Sequence, residues 1–264
     1  MDQFSHNFLA TLLHSLWQSS LLLGFYSIVV LIKPRLTPLS KRNILFTLLL
    51  LQLGYSVVTF YLLSSNGAQG LLLAFSLFSK PLLQESWPQQ YSEPIFLLYA
   101  VYVCGKVCVN YLSWMRFKTG SKFSLNKTTA ELRLFTLTQS LAFGIKRKVA
   151  VWHSNSISTP MTFGFWKPVI LLPVALISQL TPQQLEAIII HELTHIKYKD
   201  YLLNWGLIVV ETVFFFNPFV RYIAKHIKME REKNCDVQVL HFKYGNIIYA
   251  EALLKTSQVQ QEVN

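Results

Sequence analysis

The chain has 264 residues, enough for one or two domains. Apolar residues make up 52% of it, charged residues only 14%, and its formal net charge is +11. Soluble domains carry about 25% charged residues. A nucleic-acid binder would place this charge on a polar domain with basic stripes, but here it lies beside long apolar runs. That argues against direct nucleic-acid binding and for a membrane protein with basic cytoplasmic loops.

Three segments reach the roughly 20 residues needed to span a bilayer: about 8–32, 44–63 and 95–114. The N-terminus lacks the basic leader of a cleavable signal, and its apolar run is too long for one. Lys33, Arg35, Lys41 and Arg42 lie between the first two spans. Arg116, Lys118, Lys122 and Lys127 follow the third. This excess places both regions in the cytoplasm. The N-terminus and the 64–94 loop, with Lys80, Glu85 and Glu93, then face outward. His14, Ser15, Gln18, Ser19 and Ser20 are expected to join helices within the bundle, because polar groups in lipid need partners. Lys106 either snorkels or pairs there. Cys104 and Cys108 read as small packing residues, and Cys235 stands alone. This count and spacing fit neither a disulfide framework nor a cysteine-rich zinc module.

Beyond residue 116 apolar and polar residues mix, and glycine and proline punctuate. The spacing of Leu132, Phe135, Leu137 and Leu141 predicts a helix within 127–144. Residues 149–152 and 169–172 read as strands. A third strand within 159–165 would suit a sheet edge, because Pro160, Gly164 and Pro168 limit its pairing. Thr181, Pro182 and Gln184 form a capping-box signature, with Leu180 and Leu185 as its staple, and open a helix running to about Lys199. An apolar stretch over 201–216 is marginal for spanning and suits a buried or membrane-embedded helix. Asn217-Pro218 ends it. A further helix covers 219–244, a short one 249–254, and the tail after Lys255 is expected to fray.

The predicted helix from Pro182 carries His191-Glu192-Leu193-Thr194-His195. Histidines four apart project from one helix face and can chelate one zinc ion at about 2.0–2.1 Å. Glu192 sits where a carboxylate can take a proton from an attacking water and return it to a leaving amine. Ile188, Ile189 and Ile190 precede the motif, so these polar groups lie on a buried helix and need a partner to offset desolvation. A catalytic zinc has three protein ligands and an open position. Glu232 is the best third candidate, because Asp236 follows four residues on and can orient a ligand histidine through its free ring N–H. Glu230 is its rival, with Asn234 as a poorer orienter. Asp200 either caps the helix that starts near Tyr201 or bonds a ligand histidine. His153, His226 and His241 are weaker candidates for transition-state donors and read as surface or structural residues.

The ordered combination of HELTHIKYKDYL, FFFNP and EREKNCD resembles the peptidase core of the BlaR/MecR-type membrane metallopeptidases, the antirepressor family of β-lactam resistance. LLHSLWQ at 12–18 resembles the start of their first membrane helix, and TPMTFGFWKPVILLP at 159–173 the segment before their catalytic helix. The resemblance implies a gluzincin centre: His191, His195 and Glu232 on one Zn2+, Glu192 as general base, and Asp236 orienting a ligand. It also implies a cleft rim at Thr159, Pro160, Met161, Thr162, Phe163 and Gly164, where an extended substrate pairs by strand addition.

The expected fold is an α-helical membrane protein with an α+β zincin-like metallopeptidase domain. It has three transmembrane helices in 1–116 and a membrane-associated peptidase domain in 117–264. The expected place is a bacterial cytoplasmic membrane, with the peptidase facing the cytoplasm. The expected partners are the bilayer and a protein substrate, such as a transcriptional repressor or another cytoplasmic regulator, with association between copies left open. The family's receptors carry a further membrane helix and an extracellular penicillin-binding domain. The chain is expected to end at Asn264 without them, so antibiotic sensing does not carry over. A housekeeping membrane protease of the HtpX or CAAX-processing type is the competing enzyme reading, and a non-catalytic signalling scaffold the competing class.

Overall fold

The structure is a computed structural model that describes residues 2–65, 91–120, 126–242 and 245–263. Lys80, Glu85, Lys122, Tyr244 and the Lys118 side chain lie outside the described residues. Contacts divide the chain into two compact units, Met1–Leu112 with Leu207–Glu230, and Ser113–Gly206 with Arg231–Asn264.

In the first unit, α1 (Asp2–Ile32), α2 (Pro38–Ser64) and α3 (Ser92–Gly120) are long and apolar enough to cross a membrane. Leu31, Val57, Leu98 and Val101 point outward, as they do when lipid rather than protein is the solvent. Polar groups turn inward instead. Gln18 donates to Thr59 Oγ1 at 2.9 Å and accepts from Gln52 at 3.3 Å, tying α1 to α2. Trp17 Nε1 donates to His14 Nδ1 at 2.9 Å. The apolar stretch after residue 200 forms α7 (Asp200–Val213), and α8 (Pro218–Leu240) follows it. Asn217, between them, is fully buried. Its amide donates to Ser15 O at 3.1 Å and Ser19 Oγ at 3.0 Å, and its Oδ1 caps α8 by accepting from Phe219 and Val220 N–H. The serines of α1 therefore bond the turn before α8, as well as their own helix. Tyr99 bonds Val213 O at 2.9 Å. Lys106 is exposed to a second cavity, shared with Asn110, Glu211 and Arg221.

The second unit is built on a four-stranded sheet. Its strands are β1 (Asn126–Lys127), β2 (Ala150–Ser154), β3 (Met161–Phe163) and β4 (Val169–Pro173), in the order β1-β2-β4-β3. β2 and β4 pair in parallel, while β1–β2 and β3–β4 are antiparallel. The expected third strand is thus present, and it is an edge. Gly164 ends it at φ +94, and a Cβ there would meet Lys167 O at 2.4 Å, so only glycine fits this turn.

Helix α4 (Ala130–Ala142) and the short α5 (Val174–Gln179) flank the sheet. The capping box closes as its residues imply: Gln184 N donates to Thr181 Oγ1 at 3.3 Å, and Thr181 N to Gln184 Oε1 at 3.1 Å. It opens α6 (Pro182–Lys197), whose Ile188, Ile189, Ile190 and Leu193 pack with Val151, Ile170 and Leu172 of the sheet. Each such burial contributes about 1.5–3 kcal/mol, enough to hold polar motif residues at the helix surface.

The chain end differs from expectation. Residues 246–263 form one helix, α9 (Asn246–Val263). Tyr249, Ala252 and Val259, at spacings of three and seven, enter the same core, so the segment after Lys255 is held by packing instead of fraying.

Candidate metal centre

Helix α6 sets His191 and His195 one turn apart, with ring centroids 5.0 Å from each other. Glu232, on α8, meets both. Its Oε2 lies 3.5 Å from His191 Nε2 and 3.6 Å from His195 Nε2. Two ligand atoms about 2.1 Å from one tetrahedral ion are about 3.4 Å apart, so Glu232 Oε2 stands from each Nε2 at the separation of two ligands on one ion. Arg231 donates twice to the other Glu232 oxygen, at 3.0 and 2.8 Å, and fixes which oxygen faces the histidines. Glu230 is buried and does not line this cavity.

The far ring nitrogens are held as well. His195 Nδ1 lies 2.7 Å from the buried carboxylate of Asp200, the first residue of α7. Lys199 adopts a left-handed φ of 53, and this tight turn brings Asp200 back beneath the helix it follows. His191 Nδ1 lies 3.3 Å from Asp236 and 2.8 Å from Tyr249 Oη, which itself donates to Asp236 at 2.7 Å. When the rings are neutral and Nδ1–H is donated to these partners, it is the Nε2 lone pairs that face Glu232.

Cys235, isolated in sequence, is buried against His195. His191, His195 and Cys235 can each bring one ligand atom within 4.8 Å of the others. The thiol, however, lies 3.4 Å from His195 Nδ1, the nitrogen Asp200 holds. The set of two Nε2 atoms and Oε2 therefore fits one ion better.

The electrostatics favour a cation. Burial opposes charge on His191, but its bonds to Asp236 and Glu232 prevail and raise its pKa to about 9. Burial likewise opposes charge on His195, yet Asp200, Cys235 and Glu232 push it up to about 12. Glu232, despite burial, is held far below the usual carboxylate range by both histidines. Asp236 is also lowered against burial, through His191 and Tyr249. Burial and then the Asp236 bond raise Tyr249. Without an ion, protons supply the positive charge that this ring of acceptors attracts.

The centre opens on a cavity of about 540 Å³, bordered by 159–164 on one side and by Tyr201, Asn204 and Trp205 on another. All six expected rim residues line it. Glu192 lies in the same cavity, and Thr162 on β3 donates to its Oε2 at 2.6 Å. His153, His226 and His241 do not line it. Tyr249 does, and sequence reasoning missed it. It sits 58 residues from His191, on a separate helix.

A small mixed sheet beside a His-Glu-x-x-His helix stands in a chain with three helices long and apolar enough to cross a membrane. The chain belongs to the BlaR1 peptidase M56 family, whose model matches residues 77–264. It is similar to the regulatory protein BlaR1 of Bacillus licheniformis, with 37% identity over 125 residues that cover 45% of this chain and 20% of the relative. It is also similar to the methicillin resistance mecR1 proteins of Staphylococcus aureus and Staphylococcus epidermidis, with 29% identity over 177 residues covering 65% of this chain and 30% of each relative. The matched part is thus well under half the length of these relatives.

Proposed function

We propose that the chain is a zinc endopeptidase that cuts a cytoplasmic or membrane-proximal protein as a regulatory step. One observation carries this reading: Glu232 Oε2 stands 3.5 and 3.6 Å from the two Nε2 atoms, the separation of ligands on a shared ion. His191, His195 and Glu232 would hold the zinc, which supplies Lewis acidity to the cavity. Asp200, Asp236 and Tyr249 orient the ligand rings. Thr162 fixes one oxygen of Glu192, leaving the other to take the proton of the attacking water and pass it to the leaving amine. An extended substrate adds to the open edge of β3 and runs past Glu192.

The names of the similar proteins support a regulatory role, and a transcriptional repressor or another cytoplasmic regulator fits as the target. The lysine and arginine excess at 33–42 and after 114 supports a peptidase on the cytoplasmic face of a bacterial membrane.

The test compares protein termini in cells carrying the wild-type chain or Glu192→Gln, with zinc content measured on both purified proteins. Equal zinc, with loss of wild-type-specific termini in the variant, is expected, because general-base removal costs about 10²–10⁴ in rate. A zinc-loaded Glu192→Gln protein that yields the same termini refutes the mechanism.

A further inference from the structure

The cavity of the second unit is bordered by a surface that the peptidase chemistry does not use. The β3–β4 turn projects Trp166, 79% exposed, and Phe165, 41% exposed, and α7 adds Trp205 at 57% and Leu202 at 49%. The turn is not a loose loop. Phe165 packs edge-on against Trp166 at 4.8 Å and Tyr201 at 5.2 Å. Arg147 covers the Phe165 ring at 5.2 Å and donates to Phe165 O and to Tyr201 Oη. Gly164 locks the turn at its base. A protein that built this aromatic knob only for its own core would bury it, yet here a rigid frame holds it out.

Its charge is one-sided. Between Glu131 and Glu186 the sequence has no acidic residue, while Arg133, Lys146, Arg147, Lys148 and Lys167 are basic. Lys146, Lys148 and Lys167 are exposed. Ala150 N bonds Pro168 O at 3.1 Å, so the 146–149 segment runs beside the aromatic turn. Exposed tryptophan and phenylalanine with exposed lysines in the same and the adjoining segment match the headgroup layer of an anionic bilayer: aromatic rings lodge at the level of the headgroups, and lysines pair with the phosphates. The chain carries its own membrane-length helices, which keep such a bilayer within reach.

We propose that the 164–167 turn and the start of α7 dock into the anionic headgroup layer of the membrane that holds the chain. Phe163, Gly164, Tyr201 and Trp205 also line the candidate cavity, so its mouth opens at the lipid surface. On the peptidase reading, the substrate is then a segment lying at that surface. The docking itself does not depend on that reading.

The test uses the full chain in nanodiscs of phosphatidylcholine with phosphatidylglycerol, with lipids brominated near the headgroup or deep in the tail. The emission of Trp166 is taken as the difference between wild type and Trp166→Phe, and that of Trp205 from Trp205→Phe. Headgroup-proximal bromine is expected to quench most of the Trp166 emission, and deep bromine less. Lys146→Glu, Lys148→Glu and Lys167→Glu together are expected to reduce that quenching in anionic discs, with zinc content unchanged. Trp166 emission that no brominated lipid quenches overturns the proposal. If acrylamide reaches it, the knob is in water; if acrylamide is also excluded, a protein covers it. Cleavage activity is not a readout, so a failed peptidase reading and a failed docking proposal are told apart.

Discussion

Asp200→Ala gives the most direct check on the metal centre, because the two histidine rings are supported unequally. Among the described residues, His195 Nδ1 has one carboxylate, Asp200 at 2.7 Å, and otherwise the Cys235 sulfur at 3.4 Å. Loss of Asp200 leaves a buried N–H with a weak acceptor, costing about 1–3 kcal/mol. At about 1.4 kcal/mol per decade this is roughly 5–150-fold in zinc affinity, in line with the 10–100-fold typical when a partner of a ligand histidine is lost. Tyr249→Phe is milder by the same reasoning: His191 keeps Asp236 at 3.3 Å, so a loss near tenfold is expected. The assay is competition with a chelating zinc indicator on the purified full chain. Zinc affinity unchanged in Asp200→Ala, or hurt more in Tyr249→Phe, refutes the assignment of these residues as ring-orienting partners.

Three further outcomes follow from the same geometry. In the metal-free fold His191 and His195 have pKa values raised to about 9 and about 12, so their stabilising charge is full below about pH 6.5 and fades as pH rises through those values. Zinc needs them neutral, so its binding at pH 7 should release about two protons and tighten with rising pH. Calorimetry in buffers of different ionisation enthalpy measures this, and release near zero contradicts it. Gly164→Ala should lower thermal stability by about 1–3 kcal/mol or more, from the positive φ and the clash with Lys167 O; an unchanged melting curve refutes the strained turn. Asn217→Ala removes the bonds to Ser15 and Ser19 and the α8 cap. It should cost about 1–3 kcal/mol, read as a lower melting point in detergent, and wild-type melting speaks against this contact.

What could be read from sequence was local. The capping box at Thr181 and Gln184, the histidines four apart, and the apolar runs that became β2 and β4 depend on neighbours within one turn or one strand. Asp200 was readable only as a choice between cap and histidine partner, because the outcome rests on the left-handed turn at Lys199. Tyr249 was not readable, since its hydrogen bonds reach back 58 and 13 residues. The chain end was misjudged for a related reason. The core contacts of Tyr249, Ala252 and Val259, and bonds such as Gln184 to Glu251 at 3.0 Å and Lys255 to Gln179 O at 3.2 Å, tie it to distant residues. The two-residue β1 and the single-turn-scale α5 are too short to show a period.

The open edge of β3 is only three residues long. A peptide added there gains a few backbone hydrogen bonds at about 0.5–1.5 kcal/mol each, while fixing each residue costs about 1–2 kcal/mol. These nearly cancel, so strand addition alone selects extended shape without holding the substrate. On the peptidase reading, turnover would then be governed by local concentration: a target recruited to the same patch of membrane is cut, and the same sequence free in solution is ignored. A short edge makes such a protease responsive to where its target is, which is a form of regulation that needs no change at the metal.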